Sequence, residues 1–173
     1  MALTIEDGSG VPGASSYVSV AEIKSFNEAR GISLPADDAD IEKLAVEAFD
    51  YVESYRSQLQ GKKTNPDPDE QSAQWPRSGV VIDGWTVPTI RIPTELKNAQ
   101  CRAASYAYSD GPLMPSQTGA GVVKEKIDVL EVQYAEPQAT GGLPVTPSFP
   151  EVDNYMAPLL ETGGGYRVKV IRA

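Results

Sequence analysis

Apolar residues recur at helical spacing in three stretches of the chain, and the strongest stretch follows a cluster of aspartates. Its apolar side chains repeat at steps of three and four residues: Ile41, Leu44, Ala45, Ala48, Val52, Tyr55 and Leu59. Asp37, Asp38 and Asp40 lie at its start, where the helix dipole favours carboxylates, and Gly61 suits its end. The pattern predicts a long helix over about 38–60.

Two shorter stretches carry the signals of helix ends. Ser19 followed by Glu22 forms a capping box, which predicts a helix over about 20–30. Pro93 is typical of the first turn of a helix and predicts another over about 93–109. Alanines dominate one face of this third helix. Since small side chains let helices approach closely, we expect it to pack against the long helix.

Proline and glycine punctuate the rest of the chain. Within the long connection 62–92, Asp83 and Gly84 predict the turn of a short ribbon. Alternating apolar and charged residues predict a strand or hairpin near 122–134. A short helix broken at Pro158 and a terminal strand are expected after that. The predicted fold class is therefore mainly α, a small helical bundle with long loops and an extended C-terminal arm.

Composition divides the chain into three predicted regions. Residues 1–16 are rich in Gly and Ser and are predicted to be a flexible N-terminal arm. Residues 17–135 hold the helical patterns and are predicted to form the folded domain. Residues 136–173 form a Pro/Gly-rich extension with the short helix and the terminal strand.

Charge and residue usage exclude several classes of chemistry. The chain has a formal net charge of −9 and no histidine, so Ser-His-Asp and Cys-His arrangements cannot form. A single cysteine, Cys101, excludes an internal disulfide, and its alanine-rich helix suggests a small buried residue. The N-terminal residues lack the basic and apolar segments of a signal peptide, and no window approaches the ~20 apolar residues of a membrane span. We therefore expect no membrane partner.

The remaining chemical motifs fail in their context. The acidic run from Asn65 begins like a calcium loop, but Glu70 takes the place of the required glycine and Pro76 that of the final glutamate. The glycines of 119–124 lead from a loop into a strand, which is the wrong setting for a dinucleotide site. A catalytic carboxylate pair has no specific signal among 24 acidic residues. We expect no enzyme activity, cofactor or metal site.

Both tryptophans lie in one short segment, 74–85, with the sequence QWPRSGVVIDGW. A connection this long is unusual in a compact domain unless it is functional or held in place. Trp75 can bury a large area, Pro76 restricts the backbone, and Arg77 can bind carboxylate or carbonyl oxygens. We predict that these three residues anchor the loop to the helix pair.

Five segments follow one another in order between about 17 and 134: YVSVAEIKSFNEARG, LAVEAFDYVESYRSQLQGKK, QWPRSG, IPTELKNAQCRAASYA and KEKIDVLEVQYA. This ordered series resembles the head–tail connector (adaptor) proteins of tailed bacteriophages. Relatives in that family often carry the label DnaT-like single-stranded-DNA-binding protein. Ala73 stands where leucine is usual.

The resemblance implies a structural virion protein, a ring of about twelve copies at the neck below the portal, made in the bacterial cytoplasm. Its implied partners are its own copies, the portal protein, the next neck or tail-completion protein, and double-stranded DNA that passes without specific binding. An acidic channel wall agrees with this, since it would repel DNA and let it slide. Subunit or portal contacts are expected at Trp85, Arg167, Lys169 and Arg172.

A single-stranded-DNA-binding protein is the alternative function. Such proteins stack bases on aromatic side chains inside a basic groove. The acidic composition opposes it, because phosphate contacts by Lys and Arg supply most non-specific affinity. We therefore expect the connector function as the main one. The aromatic residues available for stacking are Tyr51, Tyr55, Trp75, Trp85, Tyr106 and Tyr108.

Overall fold

The fold is mainly helical, as a computed structural model shows for residues 3–67, 69–114, 124–127, 130–133 and 149–161. Four α-helices are described, with short 3-10 turns at Ser54–Ser57 and Ala157–Leu159. Three antiparallel strand pairs accompany the helices. The helices are α1 (Val20–Glu28), α2 (Asp38–Glu53), α3 (Thr94–Ser109) and α4 (Pro150–Met156). The strands are β1 (Lys62–Lys63), β2 (Arg77–Ser78), β3 (Val81–Ile82), β4 (Trp85–Thr86), β5 (Lys124–Ile127) and β6 (Leu130–Gln133).

Helix α1 begins at the capping box that the sequence predicts, and α2 begins among the aspartates that mark its predicted start. The Ser19 hydroxyl accepts the Glu22 amide at 3.2 Å, and the Glu22 carboxylate accepts the Ser19 amide at 2.7 Å. At α2, the Asp37 carboxylate accepts the amide of Ala39 at 2.9 Å. The α2 pattern continues past Glu53 as a 3-10 turn, so the predicted long helix is confirmed with a tighter last turn.

Helix α2 packs mainly against α3, and small residues line the contact. Ala45 and Ala48 of α2, and Ala99 and Ala103 of α3, have no exposed surface. The buried Gln100 side chain joins three segments there. Its amide nitrogen donates to the Ala45 carbonyl and the Ser16 hydroxyl, each at 2.9 Å, and its amide oxygen accepts the Tyr17 amide at 2.8 Å.

Helix α4 completes the bundle by packing against α3. Val152, Met156 and Leu159 are fully buried in the core. Their spacing of four and three residues places them on one face of a helical turn, which explains the burial. The short helix was therefore predicted in the right place, but its role as part of the core was not predicted.

The N-terminal residues do not form the flexible arm that the sequence predicts. Glu6 is fully buried, and its carboxylate accepts the amides of Gly8 at 2.9 Å, Gly10 at 3.0 Å and Val11 at 2.7 Å. The Glu6 amide donates to the Ser16 carbonyl at 2.8 Å. The loop is ordered because its backbone amides, including those of two glycines, donate hydrogen bonds to the buried Glu6 carboxylate.

Strands β5 and β6 belong to a unit separate from the helical bundle and form an antiparallel pair. Lys124 pairs with Gln133 at one end and Ile127 with Leu130 at the other, so the predicted hairpin is confirmed. The predicted terminal strand lies outside the described residues. Among the described helices, none is long and apolar enough to cross a bilayer.

Candidate nucleic-acid interface

The long connection between α2 and α3 holds two short ribbons. In the first, Lys62–Lys63 pairs with Arg77–Ser78. In the second, Val81–Ile82 pairs with Trp85–Thr86, as the sequence predicts. Asp83 and Gly84 form its turn with φ of 52° and 85°. Positive φ at both positions is the conformation that an Asp-Gly hairpin turn requires.

Trp75 holds the first part of this connection against the core. Its side chain has no exposed surface, and its amide donates to the Tyr17 hydroxyl at 3.2 Å. Pro76 follows through a cis peptide bond and is buried. The Pro76 carbonyl accepts the Thr64 amide at 3.1 Å and the side-chain amide of Gln71 at 2.9 Å.

Arg77 binds backbone carbonyls in the segment that follows the 3-10 turn after α2. Its Nε donates to the carbonyl of Gln60 at 2.7 Å, and its Nη2 donates to those of Gly61 at 2.8 Å and Leu59 at 3.3 Å. Only 6% of the residue is exposed. Because these donors are occupied by the protein, Arg77 serves the fold and has little capacity left for a ligand.

Glu53 joins the same loop to the N-terminal segment, a role that sequence reasoning missed. Its carboxylate accepts the Tyr17 hydroxyl and the amide of Gln74, the latter at 3.0 Å. Burial raises the pKa of Glu53 to about 6, and these hydrogen bonds oppose the rise. In the sequence this residue lies among solvent-side acids of α2, so nothing distinguished it.

Trp85 contrasts with Trp75, because 81% of it is exposed. The base of its hairpin is buried: Val80 has no exposed surface, Val87 is 9% exposed, and the Val87 amide donates to the Val80 carbonyl at 2.9 Å. The hairpin therefore fixes the backbone of Trp85 while leaving the faces of the indole open. A fixed, open aromatic ring is a platform for stacking.

A groove of about 200 Å³ lies beside Trp85 and reaches the start of α3. Arg91 and Glu95 give it one cationic and one anionic side chain. Arg91 is exposed and forms no ion pair with any described residue. The groove-lining residues include Trp85, Thr86, Pro88, Arg91, Thr94 and Glu95.

The N-terminal loop supports the turn that carries Arg91. The Arg91 amide donates to the Pro88 carbonyl at 3.1 Å, which closes the turn. Gly8 lies so close that a Cβ there would approach the Ile90 carbonyl oxygen to 2.1 Å. Glu6 holds this glycine through its amide. Neither the support nor Arg91 was predicted, since both depend on contacts between distant parts of the chain.

Most of the other aromatic residues that were candidates for stacking pack against rings of the protein itself. Tyr51 packs against Tyr55 with ring centroids 5.7 Å apart, and Tyr106 packs against Phe149 at 5.0 Å. Tyr108 is 51% exposed near the end of α3. Of the predicted contact residues, Trp85 is thus exposed, whereas Arg167, Lys169 and Arg172 lie outside the described residues.

Comparison with known proteins identifies the family and corrects the predicted function. A family model described as "Putative DnaT-like ssDNA binding protein" matches residues 1–173. No curated protein and no solved structure matches the chain. The match agrees with the alternative function in the sequence analysis, so the main prediction of a virion head–tail connector is wrong. The virion location and the absence of enzyme activity stay predictions. The chain belongs to the family described as "Putative DnaT-like ssDNA binding protein".

Proposed function

We propose that this protein binds single-stranded DNA, with a base stacked on Trp85. The observation that carries the proposal is the 81% exposure of this indole on a hairpin whose base is buried. The family description supports the kind of ligand. Bases in a single strand offer free faces to such a ring, whereas those in a duplex are covered by their neighbours.

Stacking accounts for binding by a protein with a net charge of −9. One base stacked on an aromatic side chain contributes about 1–3 kcal/mol, in addition to any phosphate contacts. Arg91 lies beside Trp85 in the groove and can neutralise a neighbouring phosphate. The acidic remainder of the protein repels the rest of the strand. We therefore expect modest affinity and a weak dependence on salt.

The size of the groove indicates a short binding site. Its volume of about 200 Å³ is below the ~300–1,000 Å³ of typical small-molecule pockets. This space suits one base and its sugar better than a longer run of nucleotides. A site of this kind tolerates different sequences, since every base has a face that can stack.

Fluorescence anisotropy of a labelled oligonucleotide tests the proposal. Trp85→Ala should weaken binding roughly 5- to 150-fold, which corresponds to the loss of one stacked base. Tyr108→Ala removes another exposed aromatic ring away from the groove and should leave affinity within about twofold. Equal affinity of the wild type and Trp85→Ala, with the fold intact by circular dichroism, would refute the proposed site.

A further inference from the structure

Every polar group of Gln60 forms a hydrogen bond, and the bonds join three segments of the chain. Its side-chain oxygen accepts the amide of Val81 at 3.2 Å. Its side-chain nitrogen donates to the carbonyls of Pro158 at 2.9 Å and Leu160 at 3.2 Å. Its own amide donates to the Leu159 carbonyl at 3.0 Å, and its carbonyl accepts Arg77 Nε at 2.7 Å.

The side-chain bonds require glutamine in one orientation. An amide supplies an acceptor and two donors from one planar group, which matches the one amide and two carbonyls around it. A carboxylate would keep the acceptor for Val81 but would face two carbonyl oxygens with no proton to donate. Alanine would lose both the hydrogen bond to Val81 and those to Pro158 and Leu160. The two substitutions therefore separate the bond to the hairpin from the bonds to 158–160.

The hairpin that carries Trp85 depends on such outside contacts. It has only two residue pairs, Val81 with Thr86 and Ile82 with Trp85. An isolated two-stranded hairpin is marginally stable in water. Val81 opens this hairpin, and Gln60 is bonded to its amide. The position of the Trp85 ring therefore depends on Gln60 as well as on the buried base of the hairpin.

The C-terminal segment reaches the same glutamine. Leu160 pairs with Leu59 in an antiparallel bridge, and the Glu161 amide donates to the Gln58 carbonyl at 2.6 Å. Helix α4 leads directly into this segment and is buried against α3. Gln60 thus lies between the exposed hairpin and a segment that is fixed in the core.

We propose that Gln60 is a positioning residue, which couples the Trp85 hairpin to the C-terminal segment at 157–161. Its effect on DNA binding rests on the proposed function, whereas its effect on the hairpin does not. Because coupling between two sites is reciprocal, a base bound at Trp85 and the bonds to Pro158 and Leu160 stabilise one another.

Amide hydrogen exchange of the free protein tests the positioning role without DNA. In Gln60→Ala, exchange at Val81 should quicken roughly 2- to 10-fold, as expected for a lost hydrogen bond, while exchange at Ala45 in α2 stays unchanged. In Gln60→Glu, Val81 should stay protected and Glu161 should exchange faster. Unchanged exchange at Val81 in Gln60→Ala, or equal acceleration at Val81 and Ala45, would overturn the proposal.

A double-mutant cycle on DNA affinity tests the link to the ring. Gln60→Ala should weaken binding of an oligonucleotide roughly 2- to 10-fold in the wild type and have no effect in Trp85→Ala. Equal losses in both backgrounds would show that Gln60 does not act through Trp85 and would overturn the coupling. If Trp85→Ala alone leaves affinity unchanged, the proposed function fails, and the exchange data still decide the role of Gln60.

Discussion

Trp75 is fully buried and Trp85 is 81% exposed, although they lie only ten positions apart in one connection. The backbone amide of Trp75 donates to the Tyr17 hydroxyl, and its side chain fills the core. Trp85 lies on a hairpin whose base is buried. The same residue type therefore has two roles here. The first tryptophan holds the connection in place, and the second offers an exposed surface.

Replacing Trp75 by alanine should destabilise the protein by about 3–5 kcal/mol, since it leaves a large cavity in the core. Urea unfolding followed by circular dichroism measures the change. Trp85→Ala is the matched control, and its effect should stay within about 0.5 kcal/mol because the ring is exposed. Equal destabilisation by the two substitutions would show that Trp75 does not anchor the loop.

Gly61→Ala should destabilise the protein more than Gly31→Ala. Both glycines have positive φ, 67° and 65°, so both substitutions carry the cost of a left-handed conformation, about 1–2 kcal/mol. At Gly61 the added Cβ would also lie 2.1 Å from the Ser78 carbonyl oxygen, whereas Gly31 has nothing within 4 Å. Urea unfolding compares the two, and similar losses would contradict the close approach of β2.

The Glu53 carboxyl should make stability depend on pH. Its folded pKa of about 6 lies above the ordinary 4.5, so the protonated form favours folding. The contribution is complete below the ordinary pKa and is lost as pH rises through 6, a change of about 2 kcal/mol.

Glu53→Gln removes this titration while keeping an acceptor for Tyr17. From about pH 3.5 to 7.5, the wild type should therefore lose about 2 kcal/mol of unfolding free energy relative to the variant. Urea unfolding at several pH values measures the difference. Parallel curves for the two proteins would contradict the raised pKa.

Arg91→Gln should weaken binding to single-stranded DNA and make it less sensitive to salt. Removing one phosphate contact lowers the slope of log affinity against log salt by about 0.7. Arg56→Gln is the control, since Arg56 is exposed in the 3-10 turn after α2 and does not line the groove. Anisotropy titrations at several salt concentrations measure both slopes. The same slope change for both variants would mean that Arg91 has no specific contact.

Local signals predicted much of the fold because they depend on neighbouring residues. Ser19 with Glu22, the spacing around Ile41, and Asp83 with Gly84 each specify a structure within a few residues. The buried role of Glu6 could not be predicted, since glycine-rich composition is common to mobile segments and to loops that enclose a carboxylate. The burial of α4 was predictable in part from the spacing of its apolar residues.

The candidate site was harder to predict than the fold. Sequence patterns select tryptophan as important, but whether an indole is buried or exposed depends on the tertiary contacts of its neighbours. Gln60 and the turn that carries Arg91 present the same difficulty, since each is contacted by residues far along the chain: Pro158 contacts Gln60, and Gly8 contacts the turn. Net charge misled the functional prediction, because it measures the average surface, whereas stacking depends on one ring and its immediate surroundings.

The indole N–H signals of the two tryptophans in an NMR titration test the central claim most directly. Trp85→Phe assigns them, because the chain has only two tryptophans. On adding a single-stranded oligonucleotide, the Trp85 signal should shift while the Trp75 signal stays in place, and a duplex of the same sequence should shift neither. A Trp85 signal that stays unmoved at saturating single-stranded DNA, or one that shifts equally with the duplex, would contradict the account.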